Sequence, residues 1–146
     1  MTNNLEMALK ISIGTTMHYM IKIHLAHFNV TGPRFYELHL LLDKIYKSLE
    51  ENFDGIGEEL RALDIFVPNS TQELLSLSEI QDFAEVLPAN EMIHELILDN
   101  DKLIETLNEV DKLAINHIGL QNFIEGFADT MEKFNWFMRA TIQSVK

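Results

Sequence analysis

The chain has 146 residues, and 47% of them are hydrophobic, so we expect one core and a single domain over residues 1–146. It has no cysteine, which excludes disulfides, zinc–thiolate sites and thiol nucleophiles and leaves His, Asp and Glu as metal ligands. The formal net charge of −12, from 23 acidic and 11 basic residues, argues against nucleic acid and favours cations as partners. An acidic surface that only keeps the protein in solution is the alternative.

The apolar runs are interrupted well before the roughly 20 residues that a membrane-spanning helix needs. The N-terminal segment MTNNLEMALK has neither the basic start nor the apolar middle of a secretory signal. We therefore expect a cytoplasmic protein without a membrane segment.

Apolar residues recur at three- and four-residue spacing from about Leu5 to Val30, which predicts an amphipathic first helix. The segment Thr31-Gly32-Pro33 ends this helix. Thr31 or Gly32 is expected to cap the next helix, with Pro33 in its first turn, where the missing N–H costs nothing.

The second helix is predicted from about Arg34 to Leu63, which is long for a globular protein. Gly55 and Gly57 each weaken a helix by about 1 kcal/mol relative to Ala. Close packing of this helix against another chain would explain why they are present.

Residues 64–88 are expected to form a long connection instead of a tight hairpin. A short helix is predicted within it over Thr71–Leu77. Ser70 is its expected N-cap, and Glu73 is the expected capping-box partner of Ser70.

A third helix is predicted from about Ala89 to Ile115, followed by a turn at Asn116–Gly119 and a fourth helix from about Leu120 to Gln143. Four long helices with one extended connection indicate an all-α fold. The prediction is a ferritin-like four-helix bundle with a short extra helix in the connection between helices 2 and 3.

Five side chains of the first two helices could bind metal: His27, His39, Asp43, Asp54 and Glu58. His39 and Asp43 are four residues apart, as are Asp54 and Glu58, so each pair shares one helix face. The step from Asp43 to Asp54 is within about 20° of three full turns, so both pairs point the same way. A solvated polar face is the alternative.

The same step rises about 16 Å along the helix axis, so one helix cannot bring all five ligands to one metal. We call His27, His39 and Asp43 the first half-site, and Asp54 and Glu58 the second half-site. Antiparallel packing of two chains about a two-fold axis would join unlike half-sites and create two equivalent metal sites per dimer.

Imidazoles together with carboxylates suit iron, manganese or zinc, and the large carboxylate share favours iron. Two metals about 3.5–4 Å apart could share one bridging carboxylate. Glu58 or Asp43 could serve as that bridge.

The spacing of the five ligands resembles the signature of the Dps family, the mini-ferritins named as DNA-binding proteins from starved cells. Two segments carry the resemblance, HFNVTGPRFYELHLLLDKIYKSLEENFDGIGEELRAL from His27 to Leu63 and MEKFNWFMRATI from Met131 to Ile142. The first has the family's pattern of His, eleven residues, His, three residues, Asp, ten residues, Asp, three residues, Glu.

The resemblance implies a hollow twelve-subunit shell, a dodecamer, with ferroxidase sites across its dimer two-folds. At these sites Fe(II) is oxidised to Fe(III), preferably by hydrogen peroxide, and the product is stored as a mineral, which protects against oxidative damage. Carried over, His27, His39 and Asp43 of one subunit and Asp54 and Glu58 of its partner bind iron, two ions per site. Glu58 is then the expected bridge.

The chain also departs from the family pattern. Phe28 follows the first ligand His where the family often has Trp, which leaves a redox-active aromatic residue there in doubt. Lys10 is the only basic residue among the first 20, so we expect neither a DNA-condensing Lys-rich tail nor DNA binding. Family pores are acidic near the start of the fourth helix, but Asn116–Gln121 has no carboxylate. Glu125 and Asp129 are candidate substitutes, or plain surface residues.

Other readings are weaker. Glu91 and His94 have the Glu-x-x-His spacing of intrachain di-iron sites, but those sites use two such motifs. His24, one turn before His27, is either a further ligand or an ordinary helix-face residue. The functional alternatives to a ferroxidase are a protein that protects DNA by coating it and a structural shell without ferroxidase activity.

Overall fold

A computed structural model describes residues 3–143, and all regular elements within that range are helices. They are α1 (Asn3–Asn29), α2 (Phe35–Ala62), α3 (Thr71–Leu77), α4 (Ala89–Leu113) and α5 (Ile118–Ile142). The predicted all-α fold, a four-helix bundle with one short helix in the long connection, is confirmed. Over the described part of the chain, none of the helices is apolar over a length that would cross a bilayer.

The core lies where the four long helices face one another. α1 packs along α2, α4 packs along α5, and α1 also contacts α3 and α4. Fully buried side chains repeat along each long helix at the three- and four-residue spacing of one helix face; they include Leu9, Ile13, Leu42, Leu49, Leu103, Leu107 and Met131. Truncating one such side chain to Ala would cost about 2–5 kcal/mol.

The turn between α1 and α2 differs from the predicted cap. Gly32 has a φ of +110°, and its carbonyl accepts a hydrogen bond from the Phe35 N–H at 3.0 Å. The N-cap of α2 is Arg34, whose side chain makes no capping bond. Thr31 and Gly32 cannot cap because the left-handed turn places them before the helix begins.

Arg34 instead ties three helices together. Its guanidinium donates to the carbonyl of Thr141 at the end of α5 and to the Asn90 side chain at the start of α4, the latter at 2.5 Å. A positive charge at a helix C-terminus also compensates the negative end of the helix dipole.

Two glycines allow close helix contacts inside this chain. A Cβ on Gly55 would collide with the Phe123 ring of α5, so a contact within this chain is enough to explain Gly55. A Cβ on Gly14 of α1 would collide with the Leu74 carbonyl of α3. Gly14 therefore lets the short helix lie directly on α1. A Cβ on Gly57 would meet only ordinary contacts at 3.8 Å.

Polar groups of α1 hold the end of the long connection. Thr15 Oγ1 accepts from the Glu79 N–H at 3.0 Å, and His18 lies 2.8 Å from Ser78 Oγ and 2.7 Å from Asp82 Oδ1. The predicted cap of α3 is also present, because Ser70 accepts from the Glu73 N–H at 3.1 Å. The bonds from the Glu79 and Glu73 N–H groups satisfy backbone donors that would otherwise be unpaired, and the His18 contacts add side-chain links to the connection.

Lys22 is a charged residue at the centre of the α1–α4 contact, and it is only 3% exposed. Its ammonium pairs with Glu95 at 2.6 Å and with Asp99 at 2.8 Å, and it donates to the Gln81 carbonyl at 2.7 Å. It also lies 4.5 Å from the centre of the Phe83 ring. A buried ammonium requires such partners because its desolvation is costly.

Candidate metal centre

The first half-site is built by the turn that folds α2 back along α1. His27, near the end of α1, and His39, on the second turn of α2, stack with ring centroids 3.8 Å apart and ring planes at 16°. Both rings are half-buried. The turn therefore places two imidazoles side by side although they are 12 positions apart in the sequence.

Reciprocal hydrogen bonds fix both rings. His27 Nδ1 donates to the His39 carbonyl at 2.8 Å, and His39 Nδ1 donates to the His27 carbonyl at 2.9 Å. A carbonyl only accepts, so each Nδ1 carries a proton, and in the neutral imidazole Nε2 keeps its lone pair. This is the arrangement in which a metal-binding histidine is oriented through its other ring nitrogen.

Asp43, the carboxylate of the first half-site, lies one turn after His39 and pairs with Lys47 at 2.8 Å. The hydrogen bond from Lys47 lowers the pKa of Asp43 below its ordinary value, and the positive charge of Lys47 adds to the effect. Asp43 therefore stays ionised and ready to accept a cation. Lys47 is 71% exposed, so its flexible side chain can swing into solvent when a metal arrives.

The second half-site lies further along α2 at an open groove. Asp54 and Glu58 line this groove of about 360 Å³ together with apolar side chains that include Ile13 and Val67. Both carboxylates are exposed, and neither has a hydrogen bond or ion pair with another of residues 3–143. They are therefore free to accept a cation.

The structure does not close a metal site within one chain. Among the described residues, no three His, Asp or Glu side chains lie close enough together to hold a metal ion. The two imidazoles of the first half-site are together, but the Asp43 carboxylate is engaged by Lys47. The in-phase positions on α2 keep the second half-site about 16 Å from Asp43 along the helix.

Tyr46 lies beside the first half-site, and the sequence analysis did not single it out. His24 stacks on Tyr46 of α2 with centroids 3.9 Å apart and planes at 26°, and the His24 ring lies 5.6 Å from the His27 ring. The signal was the position of Tyr46, three residues after Asp43 and therefore on the same face of α2.

The other candidate residues from the sequence lie on α4 and α5, outside the two half-sites. Glu91 and His94 are both exposed on α4. Asp129 pairs with Lys133 at 3.0 Å, and the neighbouring Asp111 carboxyl raises the pKa of Glu125. The possible pore role of Glu125 and Asp129 stays a prediction.

Comparison with known proteins agrees with the helical architecture. The family model described as ferritin-like domain matches residues 7–146. A low temperature-induced protein from Nostoc sp. is 30% identical over 128 residues, which cover 85% of this chain and 72% of that protein. DNA protection during starvation protein 2 from Bacillus anthracis is 26% identical over 121 residues, which cover 82% of this chain and 83% of that protein. The crystal structure of Dps from Staphylococcus aureus superimposes with a TM-score of 0.93 at 20% identity and covers 99% of this chain and 98% of its own.

These similarities and the helix order define a ferritin-like protein. Within that superfamily, the chain belongs to the Dps family.

Proposed function

We propose that this protein is a mini-ferritin that oxidises Fe(II) with hydrogen peroxide, stores the Fe(III) product and so protects against oxidative damage. The observation that carries the proposal is the reciprocal pair of bonds between His27 and His39, which leaves both Nε2 lone pairs for a metal. The unpartnered carboxylates of Asp54 and Glu58, which are in phase with His39 and Asp43 on α2, supply the other half of an intersubunit site.

The donor chemistry fits iron, which is the substrate here. Two imidazole nitrogens and three carboxylates combine moderately soft and hard ligands, a set that binds iron in both oxidation states. Asp43, Asp54 and Glu58 would hold two iron ions per site, with Glu58 as the shared ligand. The formal net charge of −12 raises the local concentration of Fe(II) around the protein.

Each residue has a defined task. The Nδ1 bonds hold His27 and His39 in the ligating tautomer before any metal arrives, so neither ring has to reorient on binding. The partner chain must bring the second half-site, and this makes assembly a condition for activity.

The proposed reaction balances with peroxide as the oxidant. Two Fe(II) ions give up two electrons, the O–O bond of peroxide breaks, and two protons complete two water molecules. Peroxide is consumed without releasing a hydroxyl radical.

The first test is iron oxidation followed by the absorbance of the ferric product. The double variant Asp54→Ala, Glu58→Ala should lose rapid oxidation by peroxide. Its matched control is Glu105→Ala, Glu109→Ala, because these two glutamates are also exposed and four residues apart, on α4. The proposal is wrong if the Asp54, Glu58 variant oxidises iron as fast as the parent.

A second test separates an intersubunit site from an intrachain one. A His27→Ala, His39→Ala variant is mixed with the Asp54→Ala, Glu58→Ala variant, and mixed dimers are verified by mass spectrometry. Each mixed dimer contains one intact pair of half-sites, so one of its two metal sites should be active. No recovery in verified mixed dimers would contradict the shared site.

We also propose that two-fold dimers assemble into a dodecamer and that the acidic surface gives no stable complex with DNA. Membership of the Dps family supports the shell, and the shortage of basic residues supports the absence of DNA binding. Light scattering should give the mass of twelve subunits. A gel shift that weakens steeply with salt would instead favour a DNA-coating role.

A further inference from the structure

Aromatic rings form a continuous path away from the first half-site. The His39 and His27 rings stack at 3.8 Å, the His27 and His24 rings lie 5.6 Å apart, and the His24 and Tyr46 rings stack at 3.9 Å. We call Tyr46, His24 and His27 the aromatic path. It joins an oxidisable phenol to a metal-binding imidazole through ring contacts alone.

The phenol at the end of this path has a proton acceptor in reach. Tyr46 is half-buried, and its hydroxyl donates to Glu50 Oε2 at 3.4 Å. Burial and the charge of Glu50 raise the pKa of Tyr46, so the phenol is protonated at neutral pH. Loss of an electron makes a phenol strongly acidic, and Glu50 is placed to receive the proton that then leaves.

The other oxidisable rings of the described chain lie elsewhere. Tyr19 is fully buried and donates to the Leu96 carbonyl, and Tyr36 is 69% exposed. Trp136 lies on α5, where its ring neighbour is Phe137 at 5.0 Å. The rings of Tyr19, Tyr36 and Trp136 take no part in the stack that leads to His27, so the aromatic path singles out Tyr46.

We propose that Tyr46 is a reserve electron donor to the first half-site, acting through His24 when a site holds a single Fe(II). This inference rests on the proposed ferroxidase function. Reduction of hydrogen peroxide to two water molecules takes two electrons and two protons. A lone Fe(II) supplies one electron and becomes Fe(III), and Tyr46 supplies the other and becomes a neutral tyrosyl radical. The phenol provides one proton through Glu50, and solvent provides the second.

This reaction would prevent a site that holds a single Fe(II) from releasing a hydroxyl radical. One-electron reduction of peroxide by a lone Fe(II) would break the O–O bond and release a hydroxyl radical. A donor at stacking distance confines the unpaired electron to a protein ring instead. His24 is a positioning residue in this scheme because it keeps the phenol in ring contact with His27.

The test uses the assembled protein loaded without oxygen with one Fe(II) per site, mixed with hydrogen peroxide and freeze-quenched. Electron paramagnetic resonance should show an organic radical in the parent, and ring-deuterated tyrosine should narrow its spectrum. Tyr46→Phe should lose this radical and increase the hydroxyl radical captured by a spin trap. Tyr36→Phe, the matched control at an exposed tyrosine, should behave like the parent in both measurements.

Two further measurements separate the inference from the proposed function. With two Fe(II) per site, both electrons come from iron, so Tyr46→Phe should oxidise iron at the parental rate. His24→Ala should weaken the radical signal, and His24→Phe, which restores a ring, should recover part of it. A parent that oxidises no iron at full loading overturns the proposed function. A parent that oxidises iron but forms no tyrosyl radical, or a Tyr46→Phe variant that keeps it, overturns the inference alone.

Discussion

Replacement of Lys22 by Met removes the only cation that contacts the buried carboxylate of Asp99 among the described residues. Lys22 is 3% exposed, and the Asp99 side chain to which it binds at 2.8 Å is 8% exposed. Met has a similar length and keeps the apolar stem, so the change isolates the charge. Breaking a buried ion pair from one side costs about 3–5 kcal/mol, because the remaining charge stays desolvated. We therefore expect Lys22→Met to lower the free energy of unfolding by that amount.

The assay is urea denaturation at fixed protein concentration, since subunit assembly contributes to stability. Lys10→Met is the matched control, because Lys10 makes a partly exposed ion pair with Glu6 at 3.0 Å on the same helix. A pair of this kind contributes only about 0.3–0.5 kcal/mol. Similar losses in the Lys22 and Lys10 variants would refute the reasoning.

The pH dependence of the Lys22→Met penalty follows from Asp99. Burial raises the pKa of Asp99, while its hydrogen bond to Lys22 opposes that rise. Without Lys22 the folded-state pKa of Asp99 should rise further above its unfolded value. A raised folded pKa favours folding at low pH, and this contribution is lost as pH rises through the folded pKa. The penalty should therefore shrink in acid, and Asp99→Asn in the same background should remove most of this pH dependence.

Two further predictions concern a helix contact and the half-site carboxylate. Gly14→Ala should cost about 1–3 kcal/mol in unfolding free energy, because the new methyl group meets the Leu74 carbonyl, which cannot rotate away. Gly126→Ala, with open space around its Cβ, should instead stabilise by up to about 1 kcal/mol, and equal effects of the two changes would contradict this contrast. In carboxyl NMR titrations of metal-free protein, Asp43 should titrate below its ordinary pKa, so it stays ionised into more acidic solution. Lys47→Met should move the midpoint upward, and an unchanged midpoint would count against the Lys47 hydrogen bond as its cause.

Local patterns in the sequence were enough to predict the helices and the helix face on which the candidate ligands of α2 lie. Apolar periodicity and the positions of proline are local signals, because an α-helix repeats every 3.6 residues whatever packs against it. The predicted helix ends therefore differ from the observed ones by at most two residues. The same local geometry put Asp43, Asp54 and Glu58 on one side of α2 and predicted that one chain leaves the two half-sites apart.

The pairing of side chains that are distant in sequence could not be predicted from such local patterns, because it depends on how the helices pack. Lysine is usually a surface residue. Lys22 is nevertheless buried, because two carboxylates of α4, 73 and 77 positions further along the chain, pair with its ammonium. The tautomer of His27 depends on a carbonyl that the Gly32 turn delivers, and the contact between Tyr46 and His24 depends on the packing of α1 along α2. Such contacts follow from where whole helices lie in space, and no local repeat of the chain encodes that arrangement.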